Sequence, residues 1–458
     1  MQMKLNTKRT FFIGFAFFAI LMLWRVHLVQ TPLLLRRLLT DEFGARDDNY
    51  FGAIGVIMAI DNLVAIALLP LFGMLSDRTK NKLGRRMTFI LIGGILSAIF
   101  FPLMAIMFLI GSFWLFVVML ALMKISMNLW RGPAVALMPD ITPKPLRAKA
   151  NGIINFVGYL GAILGGLFVM IWSFNLDNTG NQWTSTIPFY LTAATMVAIV
   201  LVLLFRFKEN EVLEEMRPVL ELGETLSETQ ERVEEDKPLS KKDKMNLWIV
   251  MAAVFFAWFA FNAIDTFGSN FEQDRFNPDG DEDFNPQWGL LGIVLAVSAL
   301  VAFLPCIKLT KKIGRKNSVL VGLIVVTLSL VIANFMPSTW ALVPIFAMSG
   351  IGWALVNISA FPIVVEMAGI KNIGKMTGIY YVATQSAQFL TSVTSGFLFG
   401  AMGNSWTDFF WWYGVLFMIV AIALCVFFKP RKVVYVTEGA VAEPQIEPAD
   451  LVSNVDKD

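Results

Sequence analysis

The chain has 458 residues, of which 56% are hydrophobic and only 16% are charged. Soluble domains carry about 25% charged residues, and the stretch 87–123 has none at all, which excludes an ordinary soluble protein. A helix needs about 20 apolar residues to cross the hydrocarbon core of a bilayer, so this stretch is long enough for two spans. The formal net charge of +2 is too small to indicate a nucleic-acid partner.

Apolar stretches recur along the whole chain and predict twelve membrane-spanning helices. Their approximate bounds are 10–33, 50–75, 87–108, 113–138, 150–172, 187–206, 246–268, 287–307, 318–336, 340–365, 376–400 and 408–428. The basic start of the chain resembles a signal peptide, but no clear small-residue cleavage site follows, so we interpret the first stretch as a span. The predicted fold class is an all-α membrane protein with twelve transmembrane helices in two six-helix pseudo-symmetric halves.

The distribution of charge predicts the domain organisation. The stretch 207–245 is rich in Glu and Lys, and we expect a cytoplasmic linker there, as a surface helix or a flexible segment. It separates an N-terminal six-helix half, 1–206, from a C-terminal six-helix half, 246–432. The polar tail, 433–458, is predicted to be disordered and cytoplasmic.

Lysine and arginine in the short loops predict the orientation in the membrane. They cluster between spans 2 and 3, 4 and 5, 8 and 9, and 10 and 11, whereas the opposite loops hold few. Because cytoplasmic loops carry an excess of these residues, both termini are predicted to be cytoplasmic. The expected location is the plasma membrane, or the inner membrane of a bacterium.

Two sequence landmarks recur in both halves. Gly84-Arg85-Arg86 follows span 2, and Gly314-Arg315-Lys316 follows span 8. Asp140 stands twelve residues before Gly152, and Glu366 stands twelve residues before Gly378. Parallel six-helix repeats are an established transporter plan, with the substrate site near the midplane between them.

The loop after span 2 carries the most specific motif, Gly73-Met74-Leu75-Ser76-Asp77-Arg78 followed by Gly84-Arg85-Arg86. Asp77 is at a helix end, where it can pair with arginines of the same membrane face. We interpret the charges as a latch that holds the halves together in one state, although they could serve only to set topology. The predicted gating residues are Asp77, Arg78, Arg85, Arg86, Asp140, Arg147 and Glu366.

This motif resembles the loop signature of the major facilitator superfamily, G-x-L-S/A-D-R followed by G-R-R/K. Within that superfamily the chain is similar to the sucrose–proton symporters and the neighbouring glycoside–cation symporters. The similar segments are Asp61-Asn62 with Pro70-Leu71-Phe72-Gly73; Asn128, Gly132-Pro133, Ala136-Leu137, Asp140, Arg147 and Ala150-Asn151; and Gly378-Ile379-Tyr380-Tyr381 with Ala387-Gln388. Two positions depart from the plant carriers, which have Gln at the place of Arg131 and Arg at the place of Val135.

Polar residues inside the spans form stripes at helical spacing. The stripes are Lys124, Asn128 and Arg131 in span 4; Trp258, Asn262 and Asp265 in span 7; Trp353 and Asn357 in span 10; and Tyr381, Gln385 and Gln388 in span 11, with Arg25 in span 1. The resemblance implies that spans 1, 4, 7 and 10 line a central cavity. All these residues except Asp265 are predicted to bind substrate, since aromatic rings stack on sugar C–H faces and amides bond hydroxyls, although tryptophans near span ends are more often interfacial anchors.

Two carboxylates are candidates for proton coupling, which requires an acid that can become neutral at membrane depth. Asp61 is the first because the cations of span 4 need an acid nearby, although Asp61 and Arg131 could also form a static ion pair. Asp265 is the second, although it lies near the end of its span.

The sequence predicts neither a metal site nor a cofactor. The acidic loop 279–283 begins like a calcium loop, but Phe284 stands where that loop needs Gly and Leu290 stands where it needs Glu. A phosphate-cradling glycine loop and a nucleophile–base arrangement are both missing from the sequence, which argues against an ATP-driven pump and against an enzyme.

We therefore expect a secondary active transporter that moves a disaccharide or glycoside with protons by alternating access. Its partners would be a small-molecule sugar, protons or sodium, and the lipid bilayer. The alternatives are a sodium-coupled sugar symporter, an efflux carrier, and a non-transporting sensor on the same fold.

Overall fold

The computed structural model describes residues 5–44, 50–143, 146–176, 182–233, 240–368 and 373–429, without the side chains of 61, 148, 222–233, 365, 366, 368, 373–375 and 377. Its helices are α1 (Thr7–Phe43), α2 (Tyr50–Arg78), α3 (Arg85–Ile110), α4 (Phe113–Ile141), α5 (Arg147–Ile171), α6 (Gln182–Arg206), α7 (Glu209–Val233), α8 (Lys241–Phe276), α9 (Trp288–Ile313), α10 (Arg315–Ala333), α11 (Thr339–Ala368), α12 (Ile373–Met402) and α13 (Trp406–Phe427). All regular structure in these ranges is helical, which confirms the predicted all-α class.

Eleven stretches of the described chain are long and apolar enough to cross a membrane. The last of them, Gly378–Phe427, covers most of α12 and all of α13, so the stretches account for the twelve predicted spans. The remaining helix, α7, is rich in glutamate and falls within the predicted linker. The predicted tail, 433–458, lies outside the described residues.

Several helices extend beyond the predicted spans. α1 continues past residue 33 to Phe43 and ends at Gly44, which adopts a left-handed conformation. α8 begins at Lys241, after a capping box in which Ser240 and Asp243 bond each other's backbone. Hydropathy marks the part of a helix that hydrocarbon covers, whereas the helix itself continues until a cap satisfies its terminal groups.

Helices α1–α6 and α8–α13 form the two halves, and α2 packs on α12, α5 on α9 and α1 on α8 across them. We call the bundle end with the turns at Gly84 and Gly314 the basic-loop face, and the opposite end the far face. Close backbone contacts between the halves lie toward the far face. A Cβ at Gly55 would overlap the backbone of Ser392, and one at Gly289 would lie 3.0 Å from the carbonyl oxygen of Gly166. Small residues allow such close helix approach in membranes.

The two halves repeat one turn in detail. α3 and α10 each begin after a glycine of positive φ, 109° at Gly84 and 83° at Gly314. Each turn is followed by a basic residue that bonds groups of its own half. Lys316 donates to the carbonyls of Val426 (2.9 Å) and Phe428 (2.6 Å) at the end of α13, and Arg86 bonds residues of α2 and α4.

Candidate functional site

A cavity of about 310 Å³ lies between α1, α8, α9 and α11. It brings together seven of the predicted site residues, namely Arg25, Trp258, Asn262, Asp265, Trp353, Asn357 and Gln388. These residues come from α1, α8, α11 and α12, so both halves contribute to the cavity. Central cavities between the repeats are where carriers of this architecture bind solute.

An ion pair joins the two halves at this cavity. Arg25 Nη1 on α1 donates to Asp265 Oδ1 on α8 at 3.1 Å, and Arg25 Nη2 donates to the carbonyl of Trp288 at 3.2 Å. The side chains of Arg25 and Asp265 are 13% and 21% exposed. A Cβ at Gly292 on α9 would overlap the guanidinium, so glycine is required there for Arg25 to reach its partners.

An aromatic wall lines the side of the cavity formed by α8 and α11. The rings of Phe261 and Trp353 stack with centroids 4.4 Å apart and planes 9° apart. Trp258 meets Trp353 edge to face, at 5.2 Å and 77°. Such a wall offers apolar ring surface to a flat solute, and the nearby amides of Asn357 and Gln388 offer hydrogen bonds at its edges.

Trp24 connects this cavity with the basic stripe of α4. Its ring lines the cavity, while Lys124 Nζ lies 4.7 Å and Arg131 Cζ lies 5.1 Å from the ring centroid. Asn128 lies on the same helix, and its amide donates to the Lys124 carbonyl at 3.0 Å. Sequence reasoning missed Trp24, although its place beside Arg25 in an apolar span was a usable signal.

Asn262 has contacts beyond the cavity, and two other predicted residues do not line it. The amide of Asn262 donates to the Gln388 carbonyl at 3.1 Å and to Ser392 Oγ at 3.0 Å, so it also ties α8 to α12. Tyr381 is exposed and lies against Phe361 and Tyr380. Tyr381 and Gln385 are not among the residues that line the cavity. The side chain of Asp61 lies outside the described residues.

The loop motif forms a charge cluster at the basic-loop face. Arg86 pairs with Asp77 and, through Nε, with Asp140 Oδ2 at 2.9 Å. Arg85 also pairs with Asp140 at 2.9 Å. These contacts join α2, α3 and α4, so the pairs among the described residues link helices of the N-terminal half.

The other predicted gating residues are placed differently. Arg147 donates to the carbonyls of Pro139 at 3.0 Å and Thr142 at 3.1 Å, which caps the end of α4. Arg78 is exposed in the last turn of α2. The side chain of Glu366 lies outside the described residues.

Glu209, at the start of α7, is part of this cluster and was missed by sequence reasoning. Its carboxylate accepts the backbone N–H of Arg86 at 2.9 Å and of Met87 at 2.7 Å, which caps α3. Burial raises the pKa of Glu209 above its ordinary value, although the N–H groups of Met87 and Arg86 act in the opposite direction. The contact spans more than a hundred residues of sequence, so no local pattern indicates it.

Replacement of Glu209 by glutamine is expected to change how stability depends on pH. Because the pKa of Glu209 is raised in the folded state, the folded protein keeps this proton at pH values where the unfolded chain has lost it. The free energy of unfolding therefore falls as pH rises through that interval, and Glu209→Gln removes this part of the slope. Thermal unfolding in detergent between pH 4 and 7 measures the effect.

Glu214→Gln, at an exposed carboxylate of the same helix, is the matched control and should leave the slope unchanged. Glu209→Ala should lower stability by about 1–3 kcal/mol, because two buried N–H groups lose their acceptor. Identical pH profiles for wild type and Glu209→Gln would contradict the burial of this carboxylate.

A second set of contacts closes the far face between the halves. Arg36 Nη1 on α1 pairs with Asp274 Oδ1 on α8 at 2.6 Å, about three turns along α1 from Arg25, or roughly 16 Å. Gln273 Nε2 donates to the Phe174 carbonyl at 3.0 Å. The amide of Asn175 donates to carbonyls of the α8–α9 loop at 2.9–3.0 Å. Arg36 was not among the gating residues predicted from the sequence.

Loss of the far-face ion pair is expected to open that face. Asp274→Asn removes the counter-charge of Arg36 and should increase the population in which the far-face ends of the halves are apart. Spin labels at Thr40 and Asp283, both exposed, would report this as a longer distance. Arg275→Gln is the control, because Arg275 pairs with Asp408 within one half. An unchanged distance distribution in Asp274→Asn would show that the Arg36–Asp274 pair does not keep the far face closed.

This chain is similar in sequence to known membrane proteins. The sequence model of the Major Facilitator Superfamily matches residues 10–307 and 278–451. The chain is 24% identical over 400 residues to the tetracycline resistance protein, class E, of Escherichia coli, and the match covers 85% of this chain and 87% of that protein.

Solved structures share the architecture. The xylose transporter XylE from E. coli, in a partially occluded inward-open conformation, matches with a TM-score of 0.65 and 14% identity, over 92% of this chain and 99% of that one. The nucleoside transporter NupG matches with a TM-score of 0.63 and 13% identity, over 93% and 100% of the two chains. At these identities the structures establish a common fold and nothing about the solute.

Proposed function

This chain belongs to the Major Facilitator Superfamily and is a membrane transporter rather than an enzyme, and we propose that it carries a disaccharide or glycoside together with protons. The observation that carries the proposal is the Arg25–Asp265 ion pair, which connects the halves inside an aromatic cavity. The branch resembled by the sequence, the sucrose and glycoside symporters, gives the same solute class.

The ion pair supports coupling because it connects protonation to the separation of the halves. An ion pair in a low-dielectric site loses its attraction when the acid becomes neutral. A proton on Asp265 would release Arg25, and α1 could then move away from α8. The freed donors of Arg25 could then bond solute hydroxyls, so that proton and solute binding favour each other.

The lining of the cavity supports a sugar as the solute. Trp258, Phe261 and Trp353 offer ring surface, and Asn357 and Gln388 offer amides. A sugar ring has apolar C–H faces and hydroxyl edges, and this combination of groups matches both. Five further residues stay as proposed substrate contacts in other states of the cycle, in which the halves have moved. They are Tyr381, Gln385 and the α4 stripe of Lys124, Asn128 and Arg131.

Asp61 stays a second proposed coupling group on the evidence of the sequence. It stands in α2 among apolar residues, where a carboxylate is costly and usually functional. If Asp61 binds the coupled proton, Asp265 would serve as the counter-ion of Arg25 during the opening of the cavity. Proton movement measured in Asp61→Asn and in Asp265→Asn distinguishes these two roles.

We propose that both termini are cytoplasmic and that the protein resides in the plasma membrane. The loops at Gly84 and Gly314 are the basic ones, and the positive-inside rule assigns them to the cytoplasm. The far-face contacts of Arg36, Gln273 and Asn175 would then close the cavity to the outside, as expected of an inward-facing state.

The decisive experiment is the solute-induced pH change of proteoliposomes that contain the purified protein. Sucrose or maltose should make the external medium alkaline with wild type, and Asp61→Asn beside it tests the second coupling group. Uptake that requires sodium and moves no protons would show that the coupling ion is sodium and not the proton. Absence of labelled-sugar counterflow under all ionic conditions would contradict sugar transport and leave efflux of another compound, or a sensor, as the function.

Efflux of an amphipathic compound is the second candidate function. It is favoured by the apolar, aromatic lining of the cavity and by the 24% identity to a tetracycline resistance protein. Everted vesicles separate the two functions, because a proton-driven exporter accumulates tetracycline inside them and a sugar symporter does not.

A further inference from the structure

A second cavity, of about 530 Å³, lies at the basic-loop face where the start of α1 meets the junction of α6 and α7. Its charged lining is Lys8, Arg9, Arg206 and Lys208 with Glu211 and Glu215. The cations outnumber the carboxylates by two, so the cavity carries positive charge. It is separate from the central cavity and has no part in the proposed transport mechanism.

Some of these charges are already paired, and the others define what the cavity can bind. Lys208 Nζ donates to Glu211 at 2.8 Å, and Arg9 donates through Nη2 to Glu215. Arg9 Nη1 is buried and finds no hydrogen-bond partner in the described part of the chain. Lys8 and Arg206 are exposed, and no described carboxylate pairs with either of them. Two exposed cationic groups, those of Lys8 and Arg206, therefore remain for a ligand, with the Arg9 guanidinium beside them.

The surroundings of the cavity are those of a membrane interface. Arg206 is the last residue of the span α6, and its neighbour Phe205 is 75% exposed. Phe12, on the first turns of α1, also lines the cavity. A ligand held here would have its charged part beside the cations and its apolar part beside the exposed ring of Phe205. Basic pockets at helix ends near the cytoplasmic membrane surface suit anionic lipid headgroups.

We propose that this cavity binds the headgroup phosphate of an anionic phospholipid. Lys8 and Arg206 are the donors to the phosphate oxygens, as expected for charge-assisted hydrogen bonds, and the nearby guanidinium of Arg9 adds positive charge. The acyl chains lie along Phe205. The lipid would join α1 to the α6–α7 junction beside the existing contact of Arg9 with Glu215 on α7.

Lipid titration of the full-length protein in detergent tests the site, with bound lipid counted by native mass spectrometry. Phosphatidylglycerol is the probe and phosphatidylcholine is the zwitterionic reference. The double variant Lys8→Gln/Arg206→Gln should bind phosphatidylglycerol about 25-fold more weakly, since each basic residue near an anionic lipid contributes on the order of fivefold. Phosphatidylcholine binding should be unchanged.

Lys311→Gln/Lys312→Gln is the matched control, because it removes two exposed charges from the same face at the end of α9. Its affinity should stay within about twofold of wild type. Equal losses in the two double variants would overturn the site and leave only general surface attraction. Competition by inorganic phosphate at concentrations comparable with the lipid would overturn the lipid assignment in favour of a soluble anion. A rise in melting temperature with phosphatidylglycerol in wild type, absent from Lys8→Gln/Arg206→Gln, would support the site without reference to transport.

Discussion

Asp265→Asn is expected to abolish proton-driven accumulation of the solute while counterflow of labelled for unlabelled solute stays measurable. Asparagine keeps the shape of the side chain but cannot exchange a proton, so solute movement is uncoupled from the proton gradient. Arg25 also loses its counter-charge, and removal of one member of a buried pair costs about 3–5 kcal/mol. Solute should therefore equilibrate across the membrane without being accumulated, as measured in proteoliposomes with an imposed pH gradient.

The control for this variant is Asp279→Asn, at an exposed acid of the loop that follows α8. It removes the same charge from the same half without touching the cavity, and accumulation should stay at the wild-type level. Full proton-driven accumulation by Asp265→Asn would exclude Asp265 as the coupling group and leave Asp61 as the candidate. Loss of counterflow as well as accumulation would mean that Asp265 is needed for solute binding or for the conformational change itself.

Gly292→Ala is expected to reduce transport more than tenfold, although it adds only one methyl group. The new Cβ would occupy the position of the Arg25 guanidinium, so Arg25 must leave Asp265 and the Trp288 carbonyl, or α9 must move away from α1. Overpacking of this kind costs about 1–3 kcal/mol. This cost destabilises the conformation in which Arg25 is paired with Asp265. Counterflow of labelled solute measures the effect.

Gly152→Ala is the matched control, because that helical glycine in α5 has open space where its Cβ would lie. Its transport rate should resemble that of wild type. A second variant tests the cause: Gly292→Ala combined with Arg25→Lys should recover part of the rate, since the smaller ammonium group leaves room for the methyl. Wild-type counterflow by Gly292→Ala would show that close packing of Arg25 on α9 is not needed for transport.

The sequence determined the elements and the approximate location of the site. Hydrocarbon requires a long apolar run for every span, so composition alone predicted the twelve spans and the division into halves. Helical spacing placed Trp258 and Asp265 on one face of α8, and this face does line the cavity. Burial of a polar side chain in a membrane is costly, which is why such residues are rare enough to indicate a site.

Tertiary structure alone decided which charges pair. The sequence suggested that the cations of α4 need Asp61, but it gave no partner for Arg25, and the fold brings Asp265 to it from the other half. The same is true of Glu209 with the start of α3, and of Arg36 with Asp274. Hydropathy and helical spacing are local properties of the chain, whereas an ion pair depends on the distance between two helices. That distance is set by the packing of all the helices together, with glycines such as Gly292 admitting the close approach.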